Sequence, residues 1–274
     1  CMNLMMIDQR LEKEELTNLL NIKCSDVSLL IQGFISNSVT NAQADGVVIG
    51  LSGGVDSTVA VNLAAKALPR EKILALTLPD NQITPKSDID DVENIAKNLG
   101  IELRSIEITE IHNSFLKHLE KDKIVEGNLK ARIRMSLIYY YSNLYNKIVI
   151  GTGDRSEILL GYFTKYGDGG TDILPIGDLY KTQVKILGRH LKVPERILEK
   201  KSSPYLWANQ TAEGEIGLPY ETIDMILYLL YDRKKTPEEV GRITGDTSAV
   251  KKLLNMNEQS QHKRNQSAIC KIPH

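Results

Sequence analysis

The sequence predicts an α/β protein: a Rossmann-like, doubly wound, mostly parallel sheet of about five strands between helices, with extra helices at both ends. Short apolar runs alternate with longer helical segments, as in successive βαβ crossovers. The 274 residues suffice for one large α/β domain. A glycine-rich turn follows the first apolar run, at the sheet edge where such folds bind ligands.

Helical patterns at 8–20 and 25–44 precede the first strand. Val47-Val48-Ile49 centres a strand over 46–51, and a small-residue helix over 57–68 follows. Further strands are expected at 73–78, 102–107, 147–151 and 172–176, with helices at 86–99, 109–121, 128–146 and 178–191. Residues 201–219 mix Ser, Pro, Gly and Asn without periodicity and read as a long loop. Helices are expected at 220–232, 236–244 and 247–263. Thr236-Pro237-Glu238-Glu239 marks one start, with a hydroxyl cap, a proline at the first helical position and acids in the first turn. The expectation is one domain over 1–274, with its core at about 46–192 and the loop and helices of 193–264 packed on it.

Lys and Arg total 34 against 35 Asp and Glu, a net charge of −1. That balance argues against general nucleic-acid binding by a basic surface. No apolar run approaches the roughly 20 residues of a membrane span, so no membrane partner is expected. The start, Cys1-Met2-Asn3-Leu4-Met5-Met6-Ile7-Asp8, lacks a basic region followed by a long apolar core, against a signal peptide. Cys1, Cys24 and Cys270 have neither metal-ligand nor redox spacing, and a reducing cytoplasm is the expected setting.

The most informative stretch is Gly50-Leu51-Ser52-Gly53-Gly54-Val55-Asp56-Ser57. Gly53 and Gly54 let backbone approach an anion, and the N–H groups opening the next helix point at it. Ser52 and Ser57 can donate to phosphate oxygens, and Asp56 can hold a Mg²⁺ that bridges phosphates. A tight strand-to-helix turn with an Asp cap is the plain structural alternative. The spacing matches neither the Walker loop nor Gly-x-Gly-x-x-Gly. It resembles the loop of the ATP pyrophosphatases, which split ATP between the α- and β-phosphates and pass AMP to a substrate.

Three further stretches stand out. Gly127-Asn128-Leu129-Lys130-Ala131-Arg132-Ile133-Arg134-Met135 places three cations in the first turns of an expected helix, where the macrodipole disfavours them. An anionic partner or a solvated basic face explains this. Gly151-Thr152-Gly153-Asp154-Arg155-Ser156-Glu157 follows a strand. Glu157 can join Asp56 around Mg²⁺, or Asp154 and Glu157 can simply cap the helix. Gly161-Tyr162-Phe163-Thr164-Lys165-Tyr166-Gly167-Asp168-Gly169-Gly170-Thr171-Asp172 is poor core material and suits either a polar pocket or an exposed turn.

Together with His262-Lys263-Arg264, these segments resemble ammonia-dependent NAD synthetases, in that family's order from about residue 46 to 264. The most specific string is Phe163 to Gly170. The resemblance implies ATP-dependent amidation of deamido-NAD (nicotinic acid adenine dinucleotide) to NAD⁺ through an adenylated carboxylate, with release of AMP and pyrophosphate. It implies that Gly50 to Ser57, Thr152, Lys181 and Ser203 contact ATP, and that Asp56 and Glu157 hold Mg²⁺. Arg132, Lys165, Asp172, His262 and Lys263 would contact deamido-NAD, and Asp168 and Asp172 are candidates to bind ammonium. Ser203 lies in Lys200-Lys201-Ser202-Ser203-Pro204, which departs from the family's proline-rich pattern there. The resemblance further implies a homodimer with sites at the interface, and the apolar Leu137–Tyr145 run is compatible with a helix packed between sheet and partner. Only about 45 residues precede the first strand, too few for the amidase domain of glutamine-dependent relatives, so free ammonia is the expected nitrogen donor. Other readings are a GMP-synthetase-like or tRNA-modifying adenylating enzyme, and a nucleotide sensor without turnover.

Overall fold

A computed structural model describes residues 20–272. The helix expected at 8–20 lies, but for Leu20, outside the described residues. Among those residues the element order is α1 (Cys24–Asn41), β1 (Gly46–Gly50), α2 (Val55–Ala67), β2 (Ile73–Thr77), α3 (Lys86–Leu99), β3 (Glu102–Ser105), α4 (Thr109–Leu116), α5 (Lys123–Leu144), β4 (Lys147–Ile150) and α6 (Arg155–Leu160). There follow α7 (Lys181–His190), α8 (Glu195–Leu198), α9 (Ala212–Ile216), α10 (Tyr220–Leu227), α11 (Pro237–Thr244), α12 (Thr247–Gln259) and α13 (Gln261–Arg264). A π-turn over Tyr228–Asp232 extends α10.

The four strands are parallel in the order β3-β2-β1-β4. The chain builds the sheet outward from β1 to β3, then returns to pair β4 on the other side of β1. That reversal makes a switch point between β1 and β4, where the connections after the two strands part and leave a crevice. The fifth strand expected at 172–176 is reduced to one bridge, Ile150 to Ile173. Pro175 has no N–H to extend a ladder.

Side chains alternate across the sheet, as period-two geometry requires. Val47, Ile49, Ile73 and Ala75 join α1, α2, α3 and α7 in one buried cluster. Val48, Leu74 and Leu76 face the other way, onto Ile133 and the half-buried Leu137, Ile138 and Tyr141 of α5. The sheet is thus covered on both faces. A third cluster packs α10, α11 and α12 around Leu160, Tyr180, Tyr220, Ile223 and Leu253, beside α6 and α7. Arg264 fastens α13 to α6, donating to the carbonyls of Ile158 and Leu159 at its C-terminal end, a favourable place for a cation. Gly161 at that junction has φ +66°, and a Cβ there would stand 2.0 Å from Ser260 Cβ.

Several boundaries differ from the pattern-based expectation. Asp122 accepts N–H bonds from Ile124 and Val125, so α5 begins at Lys123, before the basic stretch. Lys130, Arg132 and Arg134 therefore sit beyond the first turn, and the dipole argument for an anion there lapses. Lys130 is instead buried against Asp80, with Nζ 2.7 Å from Oδ2. The expected long loop contains α9, capped by Thr211, and the last expected helix breaks at Ser260.

Candidate active site

β1 and β4 deliver the two halves of the site to the crevice. Beyond β1, Leu51 N–H still donates to the Leu76 carbonyl at 2.8 Å, so sheet pairing steadies the start of the loop. Gly53 then adopts φ +78°, and a Cβ there would meet the Asp88 carbonyl oxygen at 2.8 Å. Glycine is required by backbone angle and by packing on α3, in addition to any anion it admits. Gly54 is the N-cap of α2, and Ser57 and Thr58 hydroxyls donate to its carbonyl at 3.2 and 2.7 Å. Ser52 and Ser57 hydroxyls lie 3.1 Å apart and close the loop on itself.

Beyond β4, Asp154 opens α6. Its carboxylate accepts the Glu157 N–H at 2.8 Å, and Glu157 accepts the Asp154 N–H at 3.3 Å. This is a full capping box. The helix-capping explanation of both acids is therefore correct, and it is incomplete, because the second oxygen of each faces Lys181. Lys181 Nζ lies 2.8 Å from Asp154 Oδ2, 3.0 Å from Glu157 Oε1 and 2.7 Å from Asp56 Oδ2. Its side chain is fully buried, with the Tyr220 ring 5.2 Å away. Burial disfavours the ammonium, but Asp154, Asp56 and Glu157 outweigh it and hold the Lys181 pKa well above its ordinary value. Burial, then the Asp154 charge, pushes the Glu157 carboxyl well up. The three acids can bring one oxygen each within 4.8 Å of one another.

Asp224 of α10 stands behind this group. Its carboxylate accepts from Ser156 Oγ at 2.5 Å and from Thr182 N–H at 2.8 Å, and Ser156 Oγ accepts the Lys181 N–H at 3.1 Å. One buried acid thus ties the start of α6 to the start of α7. Burial pushes its carboxyl up from 3.8 to about 7. A carboxyl raised in this way holds its proton preferentially in the native state. The stability this contributes is fully present below the unfolded value and is lost as pH rises to the folded one. Asp224→Asn is expected to flatten the decline in stability between pH 3.8 and about 7. Denaturant unfolding at several pH values checks this, and an unchanged slope would assign the titration to other groups.

A cavity of about 440 Å³ opens at this edge. Gly50, Leu51, Ser52, Asp56, Ser57, Thr152, Glu157, Ser203 and Lys263 line it, as do Arg134, Tyr162, Trp207 and Glu215. Gly53, Gly54, Val55 and Lys181 are not among the lining residues, nor are Arg132, Lys165 and His262. The remaining expected residues cluster at the glycine-rich loop. Arg132 Nη2 donates to the Lys165 carbonyl at 3.4 Å, Lys165 Nζ to the His262 carbonyl at 2.6 Å, and Lys263 Nζ to the Gly161 and Phe163 carbonyls at 2.8 and 2.9 Å. Asp172 lies outside the cavity lining, and both its oxygens are engaged: it accepts from Val149 N–H at 2.7 Å and from Tyr139 Oη at 2.9 Å. Asp168 accepts the Thr164 N–H at 2.8 Å and does line the cavity. Sequence reasoning passed over the charge role of Asp154 and missed Ser156 and Asp224, whose partners are distant in sequence.

The family described as NAD synthase matches residues 28–267. The chain belongs to the NAD synthase family. It is 49% identical to an NH(3)-dependent NAD(+) synthetase of Staphylothermus marinus over 260 residues, 93% of this chain and 94% of that one. Among solved NAD synthase-like structures, an NMN synthetase from Francisella tularensis aligns with a TM-score of 0.81 and 36% identity, covering 92% of this chain and 100% of its own. The NH3-dependent NAD synthetase from Campylobacter jejuni aligns with a TM-score of 0.78 and 34% identity, again covering 92% of this chain and 100% of its own. The parallel, helix-flanked sheet is that of an NAD synthase. Among the described residues no helix is long and apolar enough to cross a membrane.

Proposed function

We propose that this NAD synthase amidates deamido-NAD with free ammonia, consuming ATP and releasing NAD⁺, AMP and pyrophosphate. The observation that carries the reading is the meeting of the phosphate loop with Asp56, Asp154, Glu157 and Lys181 at one switch point. A carboxylate is a poor acyl donor, because oxide does not leave. Attack of the nicotinate carboxylate on the α-phosphorus of ATP expels pyrophosphate and leaves a mixed anhydride. Ammonia then attacks the carbonyl carbon, AMP departs, and the nitrogen loses a proton.

Each group has a task in this chemistry. Gly50 to Ser57, Thr152 and Ser203 receive ATP, with the N–H groups at the start of α2 directed at its phosphates. Lys181 stabilises charge that develops on them. Arg132, Lys165, Asp172, His262 and Lys263 hold deamido-NAD. Asp56 and Glu157, joined by Asp154, would hold Mg²⁺: the donors are all carboxylate oxygens, and Asp56 Oδ1 is buried without a hydrogen-bond partner, a set that fits a hard divalent cation. When bound, that ion neutralises phosphate charge and orients pyrophosphate for departure. No protein nucleophile is needed, so catalysis rests on positioning and electrostatics.

The enzyme is read as a cytoplasmic, single-domain protein that works as a homodimer. On α5, Tyr140 and Leu144 remain 61% and 55% exposed, while Leu137, Ile138 and Tyr141 pack on the sheet. A second copy would bury that outer apolar face. Sedimentation is expected to give a dimer at micromolar concentration; a monomer there counts against it.

The deciding assay supplies ATP, Mg²⁺ and either deamido-NAD or nicotinate mononucleotide, with ammonia or glutamine as nitrogen source. NAD⁺ is expected from deamido-NAD and ammonia. Preference for the mononucleotide would move this chain to the activity named for the Francisella relative. No product with ammonia would overturn the proposal.

A further inference from the structure

The phosphate loop is held from behind by Lys200, which lies between α8 and the 201–211 segment. Its Nζ donates to the Gly53 carbonyl at 3.0 Å, to Asp88 Oδ1 at 2.9 Å and to Asp91 Oδ2 at 3.0 Å. Asp88 and Asp91 are buried on α3, and Arg196 of α8 takes the other oxygen of Asp91 at 2.5 Å. An ammonium has three donors, and all three are spent within the protein. In this arrangement Lys200 is a strut between the loop and α3.

The geometry of the peptide unit gives that strut a consequence. In a planar trans peptide the carbonyl of one residue and the N–H of the next point in opposite directions. Holding the Gly53 carbonyl on Lys200 therefore turns the Gly54 N–H the other way, where Ser52 Oγ accepts it at 3.3 Å. Glycines rotate easily, and Gly53 sits at φ +78°. A charged donor holds such a carbonyl more firmly than a neutral one.

We propose that Lys200 is a positioning residue of the phosphate loop: it fixes the Gly53–Gly54 peptide so that the N–H groups opening α2 meet the phosphates of ATP. The proposal rests on the reading of Gly50 to Ser57 as the ATP loop, and its test keeps the two apart. The full chain would be compared as wild type, Lys200→Met, the double variant Lys200→Met with Asp88→Asn, and Ser57→Ala as a loop control. The readouts are KM for ATP, KM for deamido-NAD, kcat and melting temperature. Lys200→Met is expected to raise KM for ATP about tenfold, the scale of one lost charge-assisted hydrogen bond, with KM for deamido-NAD unchanged. The double variant removes the carboxylate that Lys200→Met strands, so its melting temperature is expected to recover while KM for ATP stays high. Recovery of KM for ATP in the double variant would mean that Lys200 only neutralises Asp88, and the proposal falls. It also falls if both Lys200 variants alter only kcat or melting temperature while Ser57→Ala raises KM for ATP. If none of the three moves KM for ATP, the ATP-loop reading fails and takes the proposal with it.

Discussion

Lys181→Met will strongly destabilise the metal-free protein, and Mg²⁺ will recover more stability in the variant than in the wild type. Lys181 is the cation among Asp56, Asp154 and Glu157, and its side chain and that of Asp154 are fully buried. Removing one partner of a buried ion group costs about 3–5 kcal/mol, because the charges left behind are uncompensated. For a chain of this size that is a fall in melting temperature on the order of 10 °C. A divalent ion would supply the missing charge. Thermal unfolding with and without Mg²⁺, in the absence of substrates, checks this without reference to turnover. Equal Mg²⁺ stabilisation in both proteins would separate the ion from these carboxylates.

Asp56→Asn and Glu157→Gln will each lower kcat by on the order of a hundredfold, the scale seen when one preorganised electrostatic group is lost. Affinity for deamido-NAD should change little, since neither residue is placed against it. Glu157→Gln is the cleaner experiment, because glutamine still serves as the third residue of a capping box. The Asp154 N–H keeps its acceptor, α6 starts as before, and the loss isolates the charge. Steady-state turnover alongside direct binding measures the split. Near-normal turnover in both variants at saturating Mg²⁺ would sink the two-ligand assignment.

What could be read from residues alone was whatever depends on local pattern. Apolar period and turn chemistry placed four strands and the Gly50–Ser57 turn, and the distance from a strand end placed Glu157 one turn into its helix. What stayed hidden depends on contacts between distant segments. Lys200 meets Gly53 across 147 positions, and nothing near either residue announces the other. Lys130 looked like a free cation because its partner Asp80 sits on another loop. Asp172 gave no local sign that its carboxylate joins α5 to β4. Asp154 was open to misjudgement for a different reason: starting a helix and binding a cation call for the same side chain at the same place.

That coincidence bears on how related chains should be read. A descendant of this protein that had ceased to turn over substrate would still need Asp154 and Glu157 to begin α6. Their presence in such a chain would testify to folding as much as to chemistry. Asp56 caps no helix, and its hydrogen-bond partner is Lys181 alone among the described residues. Its replacement would spare the backbone and strike the reaction. On the function proposed above, Asp56 is therefore the position whose loss would mark a chain that no longer turns over.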